Sequence, residues 1–406
     1  MGTPHRVERR RPVGDPSPPA TRARRIARGL FPHQIEGVAF LLGRRRALLA
    51  DDMGLGKTRQ AIVALRVHAS EGPYLVICPA SVKRNWAREI DLALEGDDVL
   101  VLDGSTPHPP ARGNRIEAPA RWVIVNYDIL AKHTDWLERV AWGGIVFDEA
   151  HYLKNHKSAR TRRATDLAKT TLAHDEELAV FALTGTPLTN RPRDLFPLLQ
   201  LLGHPMGRSF LSFAKRYCAA YQNDYGWVTD GASNLDELAV QLRGTMLRRT
   251  KDEVLDLPPK LRAYVPVDVP EGTGAEATRR VLRALLGKRF GKTRDSERNR
   301  SAPSSGGERG HLLAMITTLR RQVAVAKTKH TIDLVDSAVE QGEKVLVFSC
   351  FEDPVLRIAE HFGARALVLT GSTPTATRQA IVDRFQCEDG VPVLVANLIA
   401  GGVGLN

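Results

Sequence analysis

The stretch DDMGLGKT, residues 51–58, follows the apolar run ALLA (47–50) and opens a helix-patterned segment. A chain of phosphates carries several negative charges. Convergent backbone N–H groups at a helix N-terminus are the simplest way to hold it. Gly54 and Gly56 let the backbone curl that closely without Cβ clashes. Lys57 supplies a point charge for the β- and γ-phosphates, and Thr58 a hydroxyl ligand for magnesium. Asp52, Met53 and Leu55 complete the loop. One position departs from the Walker A pattern, which asks for Gly or Ala first: here it is Asp51.

Outward from that loop, short apolar runs alternate with helix-patterned segments from residue 30 to about 204. ALLA, YLVICP (74–79), VLVLDG (99–104), RWVIVNY (121–127), GGIVFDEA (143–150) and LAVFALTGTP (178–187) are strand-like. They are continuous rather than alternating, as strands covered on both faces are. Helical segments at 57–69, 82–94 and 158–169 fall between them, a rhythm that predicts βαβ units and a parallel sheet. Residues 205–250 lose the rhythm, and FLSFAKRYCAAY (210–221) and LDELAVQLRGTML (235–247) predict a helical insertion. GKRFGKTRDSERNRSAPSSGGERG (287–310) has the composition of a flexible linker. The rhythm then resumes with a long helix through 311–340 and the strands KVLVFSCF (344–351), ALVLTG (366–371) and VPVLVAN (391–397). The expected division is a disordered Arg-rich leader (1–28), a first α/β lobe (29–204), a helical insertion and connector (205–260), a partly disordered linker (261–310) and a second lobe (311–406).

The 406 residues carry a formal net charge of +12, which suits a polyanionic partner. Residues 1–46 hold eleven arginines against three acids, a local excess of 11 − 3 = +8 that suits either a solvated leader or a nucleic-acid contact. The four cysteines stand singly, with neither zinc spacing nor the density of a disulfide framework. The N-terminus lacks the apolar core of a signal peptide, and no apolar run approaches the roughly 20 residues of a membrane span. A soluble, cytoplasmic protein is expected, nucleoid-associated if bacterial.

A second chemical signal is DEAH, 148–151, at the end of the strand GGIVF. Nucleotide hydrolysis needs one carboxylate to hold hydrated magnesium and another to orient and deprotonate the attacking water. Asp148 and Glu149 stand together at a strand's carboxyl end, where open α/β sheets place their ligands. LTGTP (183–187) also ends a strand, and by itself is a polar turn.

This order of motifs resembles the Swi/Snf-type ATPases of helicase superfamily 2. That family writes its phosphate loop Asp-Glu-Met-Gly-Leu-Gly-Lys-Thr, so Asp51 is its own departure from Walker A and Asp52 stands for Glu. The likeness spans 30–406 apart from the linker. It implies two RecA-like lobes, the second incomplete here, that use ATP and magnesium and translocate on double-stranded or branched DNA, acting on proteins bound there. FPHQIEGVAFLL (31–42) resembles the adenine-reading motif, which implies a role for Gln34. ICPASVKRNWAREI (77–90) resembles the segment that grips the DNA backbone, which implies Ser81, Lys83, Asn85 and Trp86. VIVNYDIL (123–130) adds Tyr127. His151, Thr184, Gly185 and Thr186 would couple nucleotide state to DNA grip. MLRRTKDEVLDLPPK (246–260) is similar to the connector between the lobes, and AGGVGLN (400–406) to a DNA-touching motif with Gly401 and Gly402.

In the family, further strands and a helix bearing Gln-x-x-x-Arg-x-x-Arg follow that last motif, and those arginines are the finger. The sequence is therefore expected to be a truncated chain. Two readings compete: a DNA-stimulated ATPase motor, and a nucleotide- and DNA-binding clamp that does not turn over for want of the finger. A small-molecule kinase would need only the phosphate loop and leaves the second-lobe matches unexplained.

Overall fold

The six apolar runs before residue 204 become β1 (Arg46–Leu49), β2 (Tyr74–Cys78), β3 (Val99–Val101), β4 (Trp122–Asn126), β5 (Gly144–Phe147) and β6 (Ala179–Leu183). The computed structural model describes residues 18–26, 29–104, 116–187, 191–268 and 306–398, with a few helical positions between 276 and 283. Contacts divide the chain into two units, Met1–Pro259 and Lys260–Asn406.

In the first unit β7 (Tyr221–Asn223) and β8 (Gly226–Val228) form a separate hairpin, and β9 (Met246–Leu247) joins the main sheet. That sheet has the order β3-β4-β2-β5-β6-β1-β9, every pair parallel. Helices α1 (Pro19–Arg25), α2 (Pro32–Leu42), α3 (Lys57–His68) and α4 (Lys83–Ala93) precede α5 (Leu130–Leu137) and α6 (Ala159–His174). After them come α7 (Phe196–Leu201), α8 (Phe210–Tyr217), α9 (Leu235–Leu242) and the single turn α10 (Lys251–Val254).

The strand side chains alternate between two cores. Leu49, Val76, Ile124 and Phe181 pack with Val38, Ile62, Leu65 and Trp86 of α2, α3 and α4. Leu48, Ile77, Val125 and Val180 pack with Leu137, Leu167, Leu198 and Phe213 from helices on the other face. Each fully buried Leu, Ile or Phe contributes roughly 1.5–3 kcal/mol over exposure, which is why these strands read as continuous apolar runs.

Two expectations for this unit are corrected. Part of the leader is ordered: α1 lies within 1–28, with Ala23 fully buried against α2. Arg22 Nη2 donates to the Leu42 carbonyl at 3.1 Å, satisfying an orphan acceptor at the end of α2. The insertion is also not purely helical, since it contains the β7–β8 hairpin and supplies β9 to the edge of the main sheet.

The second unit has β10 (Val345–Ser349), β11 (Ala366–Leu369) and β12 (Val393–Asn397) in the parallel order β10-β12-β11. The helix expected through 311–340 is two, α11 (Gly306–Ala326) and α12 (Thr328–Glu340), followed by α13 (Glu352–Phe362) and α14 (Thr375–Cys387). Unlike β2, β4, β5 and β6 of the first unit, β10 is covered on one face. Val347 is buried with Val355 and Ile358 of α13, while Leu346 and Phe348 are exposed. Gly401 and Gly402 lie outside the described residues. Among the described residues no helix is long and apolar enough to cross a membrane.

Candidate active site

The pairings Leu49↔Leu183 and Phe147↔Ala182 bring the carboxyl ends of β1, β6 and β5 side by side. The phosphate loop, Thr184 and Asp148 therefore leave neighbouring strands at one edge, where an open parallel sheet binds ligands.

In the loop, Gly54 has φ +85° and Gly56, the N-cap of α3, φ +72°, a left-handed backbone that costs other residues energy. Lys57 Nζ donates to the carbonyls of Asp51 (2.8 Å) and Asp52 (3.1 Å). Burial lowers the Lys57 pKa, and the charges of Glu149, Asp148, Asp51 and Asp52 pull it back up. Gly185 is needed for space: a Cβ there would meet Met53 Cγ at 2.8 Å. LTGTP thus packs directly on the loop.

Gln34 is buried, and its amide is used inside the protein. Its Nε2 donates to the Leu55 carbonyl at 3.4 Å and its Oε1 accepts from Phe31 N at 3.1 Å. Gln60 Nε2 donates to the same Leu55 carbonyl at 3.0 Å. These bonds tie α2 and α3 to the crest of the loop.

Asp148 is buried, with Oδ2 accepting from Trp86 Nε1 at 2.7 Å and Oδ1 from the Glu149 backbone at 2.9 Å. Its carboxyl is pushed up to about 6, by burial first and then by the Glu149 charge, against the Trp86 and Glu149 hydrogen bonds and Lys57. Glu149 itself has φ +46°, a strained setting for a residue with a Cβ. Its Oε2 lies 3.1 Å from His151 Nδ1, and the same nitrogen lies 3.4 Å from Thr184 Oγ1. Thr184 Oγ1 in turn accepts from Thr186 N at 3.1 Å. The residues expected to couple nucleotide state onward thus form one chain from Glu149 into LTGTP.

The DNA-facing residues need correction. Trp86 is fully buried and Tyr127 nearly so; the Trp86 indole N–H holds the Asp148 carboxylate, and Tyr127 Oη donates to the Asp148 carbonyl at 2.8 Å. Both buttress the acidic pair and are unavailable to a DNA backbone. Lys83 is buried too, its Nζ donating to Leu102 O at 2.6 Å and Asp103 Oδ1 at 2.8 Å, and Asn85 is buried. Ser81 is half-buried. The cause is helical phase: Lys83, Trp86 and Ile90 share the inner face of α4, and Arg84 and Arg88 share the exposed one.

Arg249 was missed by the sequence reading and explains Asp51. Its Nη2 donates to Asp51 Oδ2 at 2.6 Å and its Nε to Oδ1 at 3.1 Å, a bidentate pair on a fully buried carboxylate. The same guanidinium reaches His33 O at 2.5 Å and Glu36 Oε2 at 3.2 Å. The acid in the first Walker position is the partner of an arginine 198 residues away.

Residues 33–322 match the family described as SNF2-related domain. The chain belongs to that family. The SNF2-related domain of this chain is similar to a Caenorhabditis elegans SWI/SNF-related matrix-associated actin-dependent regulator of chromatin subfamily A-like protein 1 homolog. The two are 33% identical over 384 residues, 93% of this chain and 52% of the relative. It is also 30% identical over 393 residues to the Mus musculus DNA annealing helicase and endonuclease ZRANB3, covering 93% of this chain and 34% of that protein. The chain thus spans about a third to a half of the length of these relatives. A Sulfolobus solfataricus SWI2/SNF2 ATPase core in complex with dsDNA superposes with a TM-score of 0.46 at 23% identity, over 91% of this chain and 78% of that one.

Asp148 gives the site a pH signature. Its pKa in the fold lies above the ordinary 3.8, so the folded protein keeps this proton to higher pH than the unfolded chain. Protonated in both states below about pH 4, the group costs nothing there; the cost grows as pH rises through 6 and is complete above it. Asp148→Asn removes this titration. In urea unfolding with chelator, the stability difference between the two proteins should shift toward Asn by up to about 3 kcal/mol between pH 4 and pH 7. A difference independent of pH contradicts the assignment.

Proposed function

We propose that this chain is the ATP-binding part of a DNA-dependent ATPase that couples ATP hydrolysis to movement on double-stranded or branched DNA or to removal of proteins bound there. The observation that carries the reading is the meeting of the phosphate loop with a buried Asp148 and an adjacent Glu149 at one sheet edge. Lys57, Thr58 and the loop amides bind the polyphosphate, Gln34 braces the Leu55 crest of the loop from α2 rather than offering its amide to the base, and Glu149 takes the proton of the attacking water. His151, Thr184, Gly185 and Thr186 pass the change onward. The relatives' names, a chromatin regulator homolog and a DNA annealing helicase, support DNA as the partner.

Magnesium fits the donor set. Asp148 is a buried carboxylate that accepts from the Trp86 and Glu149 N–H groups, and burial disfavours its anion until a cation arrives. No cluster of three or more acidic, His or Cys ligands occurs among the described residues. That suits an ion held by one carboxylate, the Thr58 hydroxyl and substrate phosphates rather than by a protein cage. Bound there, magnesium would neutralise charge on the phosphate oxygens.

DNA contact is assigned to the exposed face of α4 with Arg84 and Arg88, to Ser81 beside it, and to Gly401 and Gly402. Two RecA-like lobes, divided as 29–204 and 311–406 with the insertion and linker between, would then open and close with the nucleotide cycle.

The test is ATP hydrolysis with and without duplex DNA, at several salt concentrations. Stimulated turnover is expected, with DNA affinity falling steeply as salt rises. Lys57→Ala should weaken ATP binding about 10- to 100-fold, the loss of a charge-assisted hydrogen bond. Binding of ATP and DNA without turnover would instead support the clamp, and wild-type ATP affinity in Lys57→Ala would remove the phosphate-loop assignment.

A further inference from the structure

The connector runs beside the phosphate loop beyond the end of the strand pairing. Leu48 N donates to Thr245 O (2.8 Å), Ala50 N to Leu247 O (2.7 Å) and Asp52 N to Arg249 O (2.9 Å). Arg249 then locks to Asp51, and Arg248 Nη1 donates to the carbonyls of Ala50 at 3.2 Å and Gly185 at 3.4 Å. Immediately afterwards Lys251 N donates to Asp52 Oδ2 at 3.2 Å. These bonds bring the Lys251 side chain over the crest of the loop. Its Cε and Nζ each lie 3.4 Å from where a Cβ on Gly54 would stand.

The two lysines of the loop region are used differently. Lys57 Nζ is bound to two backbone carbonyls. Lys251 is exposed, and among the described residues no carboxylate pairs with its ammonium. A polyphosphate on the loop brings three to four negative charges, more than one ammonium neutralises. An extended cation held over the glycine turn by its own backbone meets that charge with little ordering cost.

We propose that Lys251 is a second phosphate-binding cation of the nucleotide site, carried into place by the connector, with Arg249 as its positioning residue. This rests on the reading of the loop as an ATP site and adds a residue to it from outside the sequence-local motifs. It also makes the connector sensitive to nucleotide: a bound polyphosphate pins Lys251, and hence the chain leading to Pro259, onto the loop.

The experiment measures binding of ribose-labelled ATP, ADP and adenosine, with magnesium, to the full chain, its Lys251→Ala and Lys251→Arg variants and Lys57→Ala. Lys251→Ala should bind ATP and ADP about tenfold more weakly, with adenosine affinity and melting temperature unchanged, and Lys251→Arg should restore most of the loss. Wild-type ATP affinity in Lys251→Ala overturns the proposal while leaving the ATP site standing. So does an equal loss for adenosine, which would mean that the side chain acts through the fold rather than on phosphate. If the unmodified chain binds no labelled ATP, the ATP-site reading and this inference fall together.

Discussion

Glu149→Gln is expected to bind ATP within about twofold of the wild type and to hydrolyse it roughly 10²–10⁴-fold more slowly, the usual contribution of a positioned general base. Glutamine keeps the length and an acceptor oxygen for the 3.1 Å contact with His151 but has no basicity. The backbone role of residue 149 is also kept, because its N–H, not its side chain, donates to Asp148 Oδ1. Removing the Glu149 charge relieves one of the two causes that raise the Asp148 pKa, so the Asp148 carboxyl ionises more readily in the variant. Binding is measured with labelled ATP and chemistry by single-turnover hydrolysis. If binding disappears together with hydrolysis, Glu149 is a structural member of the site rather than its base.

The features legible in the sequence are those whose physics is local. A phosphate loop needs glycines at fixed places between a strand and a helix, and DDMGLGKT carries that constraint within eight residues. The parallel sheet was legible because βαβ crossovers cover both faces, so YLVIC and WVIVN read as unbroken apolar runs. Phase along α4 was not. Lys83, Asn85 and Trp86 could be named from the motif, but Trp86 faces the core and Lys83 turns to Asp103, leaving Arg84 and Arg88 outward. The leader helix α1 was hidden by its arginines: one of them, Arg22, is a cap for α2 rather than a solvated charge. β9 is a two-residue strand, too short for any periodicity, and its place on the sheet edge is set by pairing with β1. Nor could Asp51 be understood alone, since its reason lies in Arg249.

That pair carries the second large effect. Arg249→Ala should destabilise the first unit by roughly 3–5 kcal/mol, because it leaves a fully buried carboxylate without its cation. For a unit of this size the melting temperature should fall by on the order of 10 °C. The loss is not the strength of one ion pair; it is mostly the cost of an orphaned charge. Hence a double substitution separates the two. Asp51→Ala with Arg249→Met removes both charges and puts a small residue in the first position of the loop, as the Walker A pattern has it. Its melting temperature should return most of the way to wild type, since exchanging a buried pair for apolar groups is often neutral. Nucleotide affinity should not return fully with it, because the side-chain lock is gone and only the Asp52 N–Arg249 O and Lys251 N–Asp52 bonds still hold residues 249–251 against the loop. Equal melting temperatures for wild type and Arg249→Ala would show that Asp51 needs no partner, and full recovery of ATP affinity in the double variant would show that the connector takes no part in shaping the site.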